Sequence, residues 1–349
     1  MSWRLDPKVE NILKKGENCI GLSEDEAQTL LCLDLGSKEV YALMETANRI
    51  SREQFEGKGE SHFHIGVNVE PCRFNCKFCS LAENAGVFTE TIEFPEEEII
   101  GWAKMAQANN ADALNIMTTG TYSLNRLIDI GRILSEEVSI PLVANTRDIT
   151  HREGEELLKA GFVGAYHAIR LGEGKNTPFA LEKRLRTISV FKDIGLLWMN
   201  CVEPVGPEHT VEEISYLMVL ARKHRATYSG VMRRINFPGS PFEKVGMISE
   251  LELARMVAVS RLVMGDVPKA HCTHEPHVAS LISGANLFFP EVGSSPRDRH
   301  ADTGEGRGRS LAACRQMFTE MGWDPDLPSN CFDSVTPAKT LDAAAGAKA

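Results

Sequence analysis

The sequence predicts an α/β fold, a (β/α)8 TIM-type barrel with a helical N-terminal arm and a C-terminal extension. Three observations predict it. Short apolar, β-branched runs alternate with amphipathic stretches from about residue 64 to 291, and strict alternation of this kind calls for a parallel sheet. The number of units is eight, over a span that suits a closed barrel better than an open doubly wound sheet. The polar and cysteine-rich segments cluster just after the strand candidates, where a barrel carries its chemistry.

The elements follow in order. Residues 1–58 read as a helical arm: Ser23-Glu24-Asp25-Glu26 is a capping box ahead of an apolar-periodic run, and Lys38–Phe55 repeats the pattern before the breaker Gly57-Lys58-Gly59. The barrel is expected over 59–293. Its strand candidates are His64–Val69, Ala113–Met117, Ile140–Asn145, Gly164–Leu171, Leu196–Glu203, Tyr228–Ile235, Pro268–Thr273 and Asn286–Glu291. Helix candidates between them are Glu96–Ala108, Leu124–Glu137, His151–Ala160, Pro178–Asp193, Val211–Lys223, Glu250–Val263 and Pro276–Ser283. Residues 294–349 form the extension, a Gly/Ser/Arg-rich loop through Ser310, then a helical stretch to Gly322 and a tail of small residues.

Composition limits the function. The chain has 349 residues, 43% apolar and 25% charged, so a sizeable core can be buried. The net charge of −10 argues against a dedicated nucleic-acid binder. No apolar run approaches the roughly 20 residues of a membrane helix, and Met1–Asp6 carries no apolar signal segment. The expectation is a cytoplasmic protein whose nine cysteines form no disulfide frame and in which a cluster of them binds metal.

The strongest signal is Pro71-Cys72-Arg73-Phe74-Asn75-Cys76-Lys77-Phe78-Cys79. Three thiols spaced C-x3-C-x2-C on a loop after the first strand can wrap one metal centre and leave one position open. A structural zinc site completed by His62 or His64 is the competing reading. This spacing after the first strand of a βα array resembles the radical S-adenosylmethionine (SAM) superfamily. The resemblance runs over about residues 20–335. His62-Phe63-His64-x-x-Val67-Asn68 and Ser283-Gly284-Ala285-Asn286 are similar to the biotin synthase, HydE and methylornithine synthase-like group. The resemblance implies that Cys72, Cys76 and Cys79 ligate a 4Fe–4S cluster whose fourth iron chelates SAM, with Phe78 near the adenine. Reductive cleavage of SAM would then give a 5′-deoxyadenosyl radical.

Further candidates lie at strand ends. Thr118-Thr119-Gly120 stands where the family meets the methionine amino group, here without the family's glutamate. Arg170 and Glu173 follow the fourth strand and can pair or reach a cofactor carboxylate. Glu208 ends a turn that in the family runs along the adenine. Arg233 and Arg234 suit an anionic substrate group, but a strand lets only one point inward; Arg233 is the one assigned to the site. His271 and Cys272 at the end of the seventh strand, with Cys201 from the fifth, are the catalytic candidates, and His167 is a structural or an inward-facing histidine. Cys201 and Cys272 also leave a second iron–sulfur cluster open. Residues 113–119 and 140–146 hold no cysteine, which speaks against a biotin synthase-type sulfur donor.

The resemblance implies a radical SAM enzyme of cofactor biosynthesis. It would abstract hydrogen from a small, anionic substrate and take electrons from a donor such as ferredoxin or flavodoxin. Sulfur insertion, skeletal rearrangement and metallo-cofactor maturation are all compatible outcomes. A non-catalytic iron–sulfur or zinc protein and a zinc-dependent barrel hydrolase are the rivals. The arginine-rich loop around Arg297, Arg299, Arg307 and Arg309 is read either as a lid or as a surface loop.

Overall fold

A computed structural model describes residues 4–293 and 309–333. The N-terminal arm forms α1 (Pro7–Glu17), α2 (Glu24–Leu31) and α3 (Lys38–Gln54). The capping box is present: the Ser23 hydroxyl accepts from Glu26 N–H while the Glu26 carboxylate accepts from Ser23 N–H at 2.7 Å. The remaining helices are α4 (Glu96–Ala108), α5 (Leu124–Glu137), α6 (His151–Lys159), α7 (Leu181–Ile194), α8 (Val211–Lys223), α9 (Glu250–Met264), α10 (Val278–Ile282) and α11 (Leu311–Glu320).

The strands are β1 (Glu60–Gly66), β2 (Asn68–Val69), β3 (Ile92–Glu93), β4 (Ala113–Met117), β5 (Leu142–Asn145), β6 (Phe162–Tyr166), β7 (Leu197–Met199), β8 (Val202–Val205), β9 (Tyr228–Arg233), β10 (Ala270–Cys272), β11 (Leu287–Phe288) and β12 (Glu291–Val292). All pairings around the ring are parallel, and β10–β11–β1 closes it into a barrel of eight strand positions.

Two strands are broken where the sequence suggests continuous runs. The fifth splits into β7 and β8 at Asn200, whose side chain takes over ladder duties: its Oδ1 accepts from Ile169 N–H at 3.4 Å and its Nδ2 donates to Ser229 Oγ at 3.3 Å. The eighth splits at Phe289-Pro290, since proline has no N–H to offer a neighbour. The first strand begins earlier than expected, and β2 pairs antiparallel with β3 as a small ribbon beside the barrel mouth.

Alternation along each strand sorts the core in two. Outward residues such as Phe63, Ile65, Leu114, Ile116 and Leu142 pack under the helices, while Val143, Tyr166, Met199, Cys201, Tyr228, Cys272, Leu287 and Phe289 fill the barrel. The C-terminal segment closes the floor. Cys331 and Phe332 enter the interior cluster, and the Glu60 carboxylate accepts from Asn330 N–H at 2.7 Å and Ser329 Oγ at 2.8 Å. Lys58 is buried beside them, paired with Asp112 at 2.8 Å and donating to the Pro325 carbonyl at 2.8 Å. With the floor plugged, the interior opens toward the strand C-termini. The loop at 294–308, with the arginines at 297, 299 and 307, lies outside the described residues, as does 334–349.

Candidate active site

The cysteine loop leaves β2 and folds back over the barrel mouth. Cys72 N–H donates to the Leu81 carbonyl at 2.7 Å, Cys79 N–H to the Cys76 carbonyl at 3.0 Å, and Lys77 N–H to the Asn176 carbonyl at 2.9 Å. Asn75 takes a left-handed conformation (φ 49°), which asparagine tolerates, and its Oδ1 accepts from Asn84 N–H at 2.9 Å. The loop is therefore tied to itself and to the loop after β6. Its approach to the end of β4 needs a glycine. A Cβ on Gly120 would sit 2.6 Å from the Phe74 ring and 3.4 Å from Cys72 Sγ.

All three cysteines line one cleft of about 170 Å³, together with Phe74, Phe78, Thr118, Thr119 and Gly120. Cys79, Phe78 and Arg170 also border a second cavity of about 210 Å³ that runs into the barrel. The two share Thr118, Thr119 and Asn145 as well, so the thiols look along a continuous path toward Tyr166, Met117, Met232, His64 and His274.

The polar frame of this path is pre-set. Thr119 N–H donates to Asn68 Oδ1 at 3.0 Å, and Asn68 Nδ2 donates back to Thr119 Oγ1 at 2.9 Å. Glu70 accepts from Thr119 and Thr121 hydroxyls at 2.8 and 2.7 Å. Arg170 pairs with Glu203 at 3.2 Å, and the Tyr166 hydroxyl donates to the other Glu203 oxygen at 2.8 Å. Burial opposes the Arg170 charge, but Glu203, with Tyr166, Cys76 and Glu173 adding to it, outweighs burial and holds the guanidinium protonated. Burial pushes the free Cys76 thiol up to about 12, against the pull of Arg170. Burial, then His274, holds His64 well below the usual histidine range, so His64 is a neutral imidazole, 3.0 Å from Asn115 Nδ2.

Several expected site residues stand elsewhere. His271 points away from the barrel: its Nε2–H donates to the Val257 carbonyl of α9 at 2.9 Å, and burial, then the Arg261 charge, push it down to about 3. Strand alternation sends His271 outward because Cys272 goes inward. Arg233 likewise faces the helices, held by Glu275 at 2.7 Å, and Arg234 is the inward member. Glu173 does not pair with Arg170 but is buried under its loop, bonded to Arg184 Nε and Arg170 N–H, both at 3.1 Å. Glu208 lines neither cavity and instead grips the Arg234 guanidinium. His167 faces α7, and its Nδ1–H donates to the Thr146 carbonyl 3.0 Å away. Cys201 and Cys272 do face inward, but as fully buried neighbours one layer below the cavity wall. Sequence reasoning missed Glu70, Tyr166 and Glu203, gave Asn68 no role beyond its motif, and assigned Arg233 rather than Arg234 to the site. Counting in twos back from Arg170 reaches Tyr166, and counting from Cys201 reaches Glu203, so the parity was readable.

The donor set discriminates between metals. Among the described residues, the sets of three His, Cys, Asp or Glu ligand atoms lying within 4.8 Å of one another are Glu60/His62/Cys331 and Cys201/Glu203/His274. The Cys72/Cys76/Cys79 triplet is not among them, and no histidine joins it at that spacing. Zinc–sulfur bonds of about 2.3 Å would hold thiolates roughly 3.8 Å apart. A wider triangle of three thiols, on a loop facing a cleft, fits a cluster with several irons better than a single zinc ion.

Comparison with known proteins agrees. No family model matches the chain. It is 30% identical to a biotin synthase of Citrifermentans bemidjiense over 318 residues, covering 86% of this chain and 93% of that one. The chain belongs to the radical SAM group of biotin synthase and its relatives. A biotin synthase of Geobacter sulfurreducens is 27% identical over 320 residues, covering 86% and 92% of the two chains. Among solved structures, the [FeFe]-hydrogenase maturase HydG superposes with a TM-score of 0.79 at 14% identity, over 99% of this chain and 81% of that one. Methylornithine synthase (PylB) does so at 0.77 and 16%, over 93% and 100%. These two carry the fold. The protein is thus a radical SAM enzyme, and its group implies a 4Fe–4S cluster and SAM, which the triplet and the adjoining cleft fit. No helix among the described residues is long and apolar enough to cross a membrane.

Proposed function

We propose that this enzyme abstracts a hydrogen atom from a small substrate held in the 210 Å³ cavity, in a reaction of cofactor biosynthesis that leaves the barrel thiols intact. Cys72, Cys76 and Cys79 would hold the cluster, and Phe78, Thr118, Thr119, Gly120 and Arg170 would border SAM. With both bound, the group supplies a 5′-deoxyadenosyl radical. The protein's part is to orient and to shield. Met117, Met232, Ile235, Leu81 and Phe289 give the cavity apolar walls, and Asn145, Tyr166 and His64 supply hydrogen bonds. A free thiol in that wall, other than Cys79, which would be a cluster ligand, would quench a carbon radical by giving up its weak S–H hydrogen. Cys201 and Cys272 are fully buried behind it instead.

The observation that carries this reading is the continuity of the thiol-lined cleft with a cavity inside a barrel plugged at its other end. Arg170 and Arg234 already hold Glu203 and Glu208, so an anionic substrate group must compete with, or be added to, these pairs. For the outcome of the reaction we favour rearrangement or cofactor maturation over sulfur insertion. The inward residues on β4 are Ala113, Asn115 and Met117 and those on β5 are Val143 and Asn145, none of them a cysteine, which leaves Cys201 and Cys272 without strand partners for a second cluster on that side. A small electron carrier such as ferredoxin or flavodoxin would serve as reductant. The test is isotopic. Reduced enzyme is incubated with SAM and a deuterated cell-extract metabolite pool. Deuterium in 5′-deoxyadenosine supports the proposal, and unlabelled 5′-deoxyadenosine with every pool fraction counts against it.

A further inference from the structure

A second set of ligands lies inside the barrel, apart from the triplet. The thiol of Cys201, a carboxylate oxygen of Glu203 and a ring nitrogen of His274 all lie within 4.8 Å of one another. Cys201 stands in the break between β7 and β8, Glu203 on β8, and His274 in the loop after β10. Cys201 is fully buried and Glu203 nearly so. Glu203 and His274 line the cavity, whereas Cys201 lies behind them.

We propose that these three side chains bind a single divalent transition ion, Fe(II) or Zn(II) by the chemistry of the donors, with its fourth position open to the cavity. Thiolate, carboxylate and imidazole together suit a borderline-soft ion, and three protein ligands with one free position are the pattern of a substrate-binding rather than a structural site. Bond lengths of about 2.0–2.3 Å put tetrahedral ligands roughly 3.3–3.8 Å apart. The ligand atoms, within 4.8 Å of one another, must therefore approach by at most about 1.5 Å to reach that spacing. The supporting shell already exists. Tyr166 and Arg170 hold the two Glu203 oxygens at 2.8 and 3.2 Å, and the His274 ring packs against Phe289, Tyr166 and His64 at centroid distances of 4.4, 5.4 and 5.7 Å.

The other compact set, Glu60/His62/Cys331, is different in kind. It is sealed in the floor of the barrel, and the Glu60 carboxylate is taken up by Ser329, Asn330 and His62. It borders neither cavity. The upper set has a charge consequence as well. A divalent ion there balances the Cys201 thiolate and the Glu203 carboxylate, which frees the Arg170 charge. The open position then favours an oxygen donor of an anionic substrate, a carboxylate above all. This goes beyond the radical SAM reading and stands independently of it.

The experiment uses the full chain with Cys72, Cys76 and Cys79 all replaced by Ser, so that no cluster can form. The protein is stripped with chelator, loaded with Co(II) and desalted. The proposal expects one Co(II) per chain with a near-ultraviolet thiolate-to-cobalt band. Cys201→Ser in that background removes the band, His274→Ala weakens Co(II) affinity by about tenfold or more, and Cys331→Ser changes neither. His274 lies on the cavity wall, so its variant keeps the test open should Cys201→Ser fail to fold. No retained Co(II), a band that survives Cys201→Ser, or a band lost with Cys331→Ser would each overturn the proposal. Loss of SAM cleavage in the unmodified chain bears only on the triplet, so the two readings fail separately.

Discussion

Replacing Gly120 by Ala should loosen the cysteine loop without unfolding the barrel. A Cβ there would lie 2.6 Å from Phe74 Cδ2, 3.0 Å from Cε2 and 3.4 Å from Cys72 Sγ. Carbon atoms settle at about 3.5–4.0 Å, so the ring must retreat by about 1 Å. It has nowhere easy to go, because its other side packs edge-on against Phe179 at 4.8 Å. Overpacking of this kind costs about 1–3 kcal/mol. Spent on the loop alone, that is a roughly 5- to 150-fold bias against the closed arrangement of the three thiols. The assay is iron retained per chain after anaerobic reconstitution and desalting, read beside the melting temperature. Gly101→Ala is the control, because a Cβ there meets nothing within 4 Å. Gly120→Ala is expected to retain well under half the iron of the control. Equal iron and equal melting temperature in the two variants would refute the idea that Gly120 sets the approach of the loop.

Other perturbations give equally definite outcomes. Glu203→Gln removes the carboxylate that holds Arg170 and Tyr166, and losing charge-assisted hydrogen bonds of this type costs about 1.5–3 kcal/mol; a lowered urea midpoint together with weaker SAM binding is expected, and an unchanged midpoint would argue against the pair. Arg234→Met should impair turnover while Arg233→Met, which faces Glu275, should lower stability and leave SAM cleavage intact; the reverse pattern would overturn the assignment of the inward arginine. His271 is buried neutral with its pKa pushed down to about 3, so the unfolded chain binds the extra proton and stability is lost as pH falls from about 6.5. Each pH unit below that costs about 1.4 kcal/mol through this residue. Urea midpoints between pH 7 and pH 5.5 should fall less steeply in His271→Gln, and parallel slopes would contradict the sign. Cys314→Ser, far from both cavities in the packing around Phe318, should leave iron content unchanged.

Much of this was legible in the sequence, because the signals were local. Alternating apolar runs and capping boxes mark the barrel, and the C-x3-C-x2-C spacing marks the loop that meets SAM in this group. What the sequence concealed depends on side-chain direction and on long-range closure. Arg233 and Arg234 are adjacent and chemically alike, and only the register of β9 turns one inward. His271 sits beside the inward Cys272, yet one residue of offset sends it to α9. Glu173 and Glu208 have the right chemistry for a cofactor site, but each is held by an arginine, Glu173 by Arg184 beneath its loop and Glu208 by Arg234. The breaks at Asn200 and Pro290 bend the strand ends and bring Glu203 over the cavity. No local pattern shows that residues 329–332 plug the barrel floor, since Asn330 reaches Glu60 across 270 positions of sequence.

The most direct test of the central claim is SAM cleavage by the reconstituted, dithionite-reduced protein, measured beside its metal content. About four irons per chain, with 5′-deoxyadenosine formed from SAM and both lost in Cys76→Ala, is the predicted result. A protein that holds zinc at the triplet, or holds iron and leaves SAM intact, would contradict it.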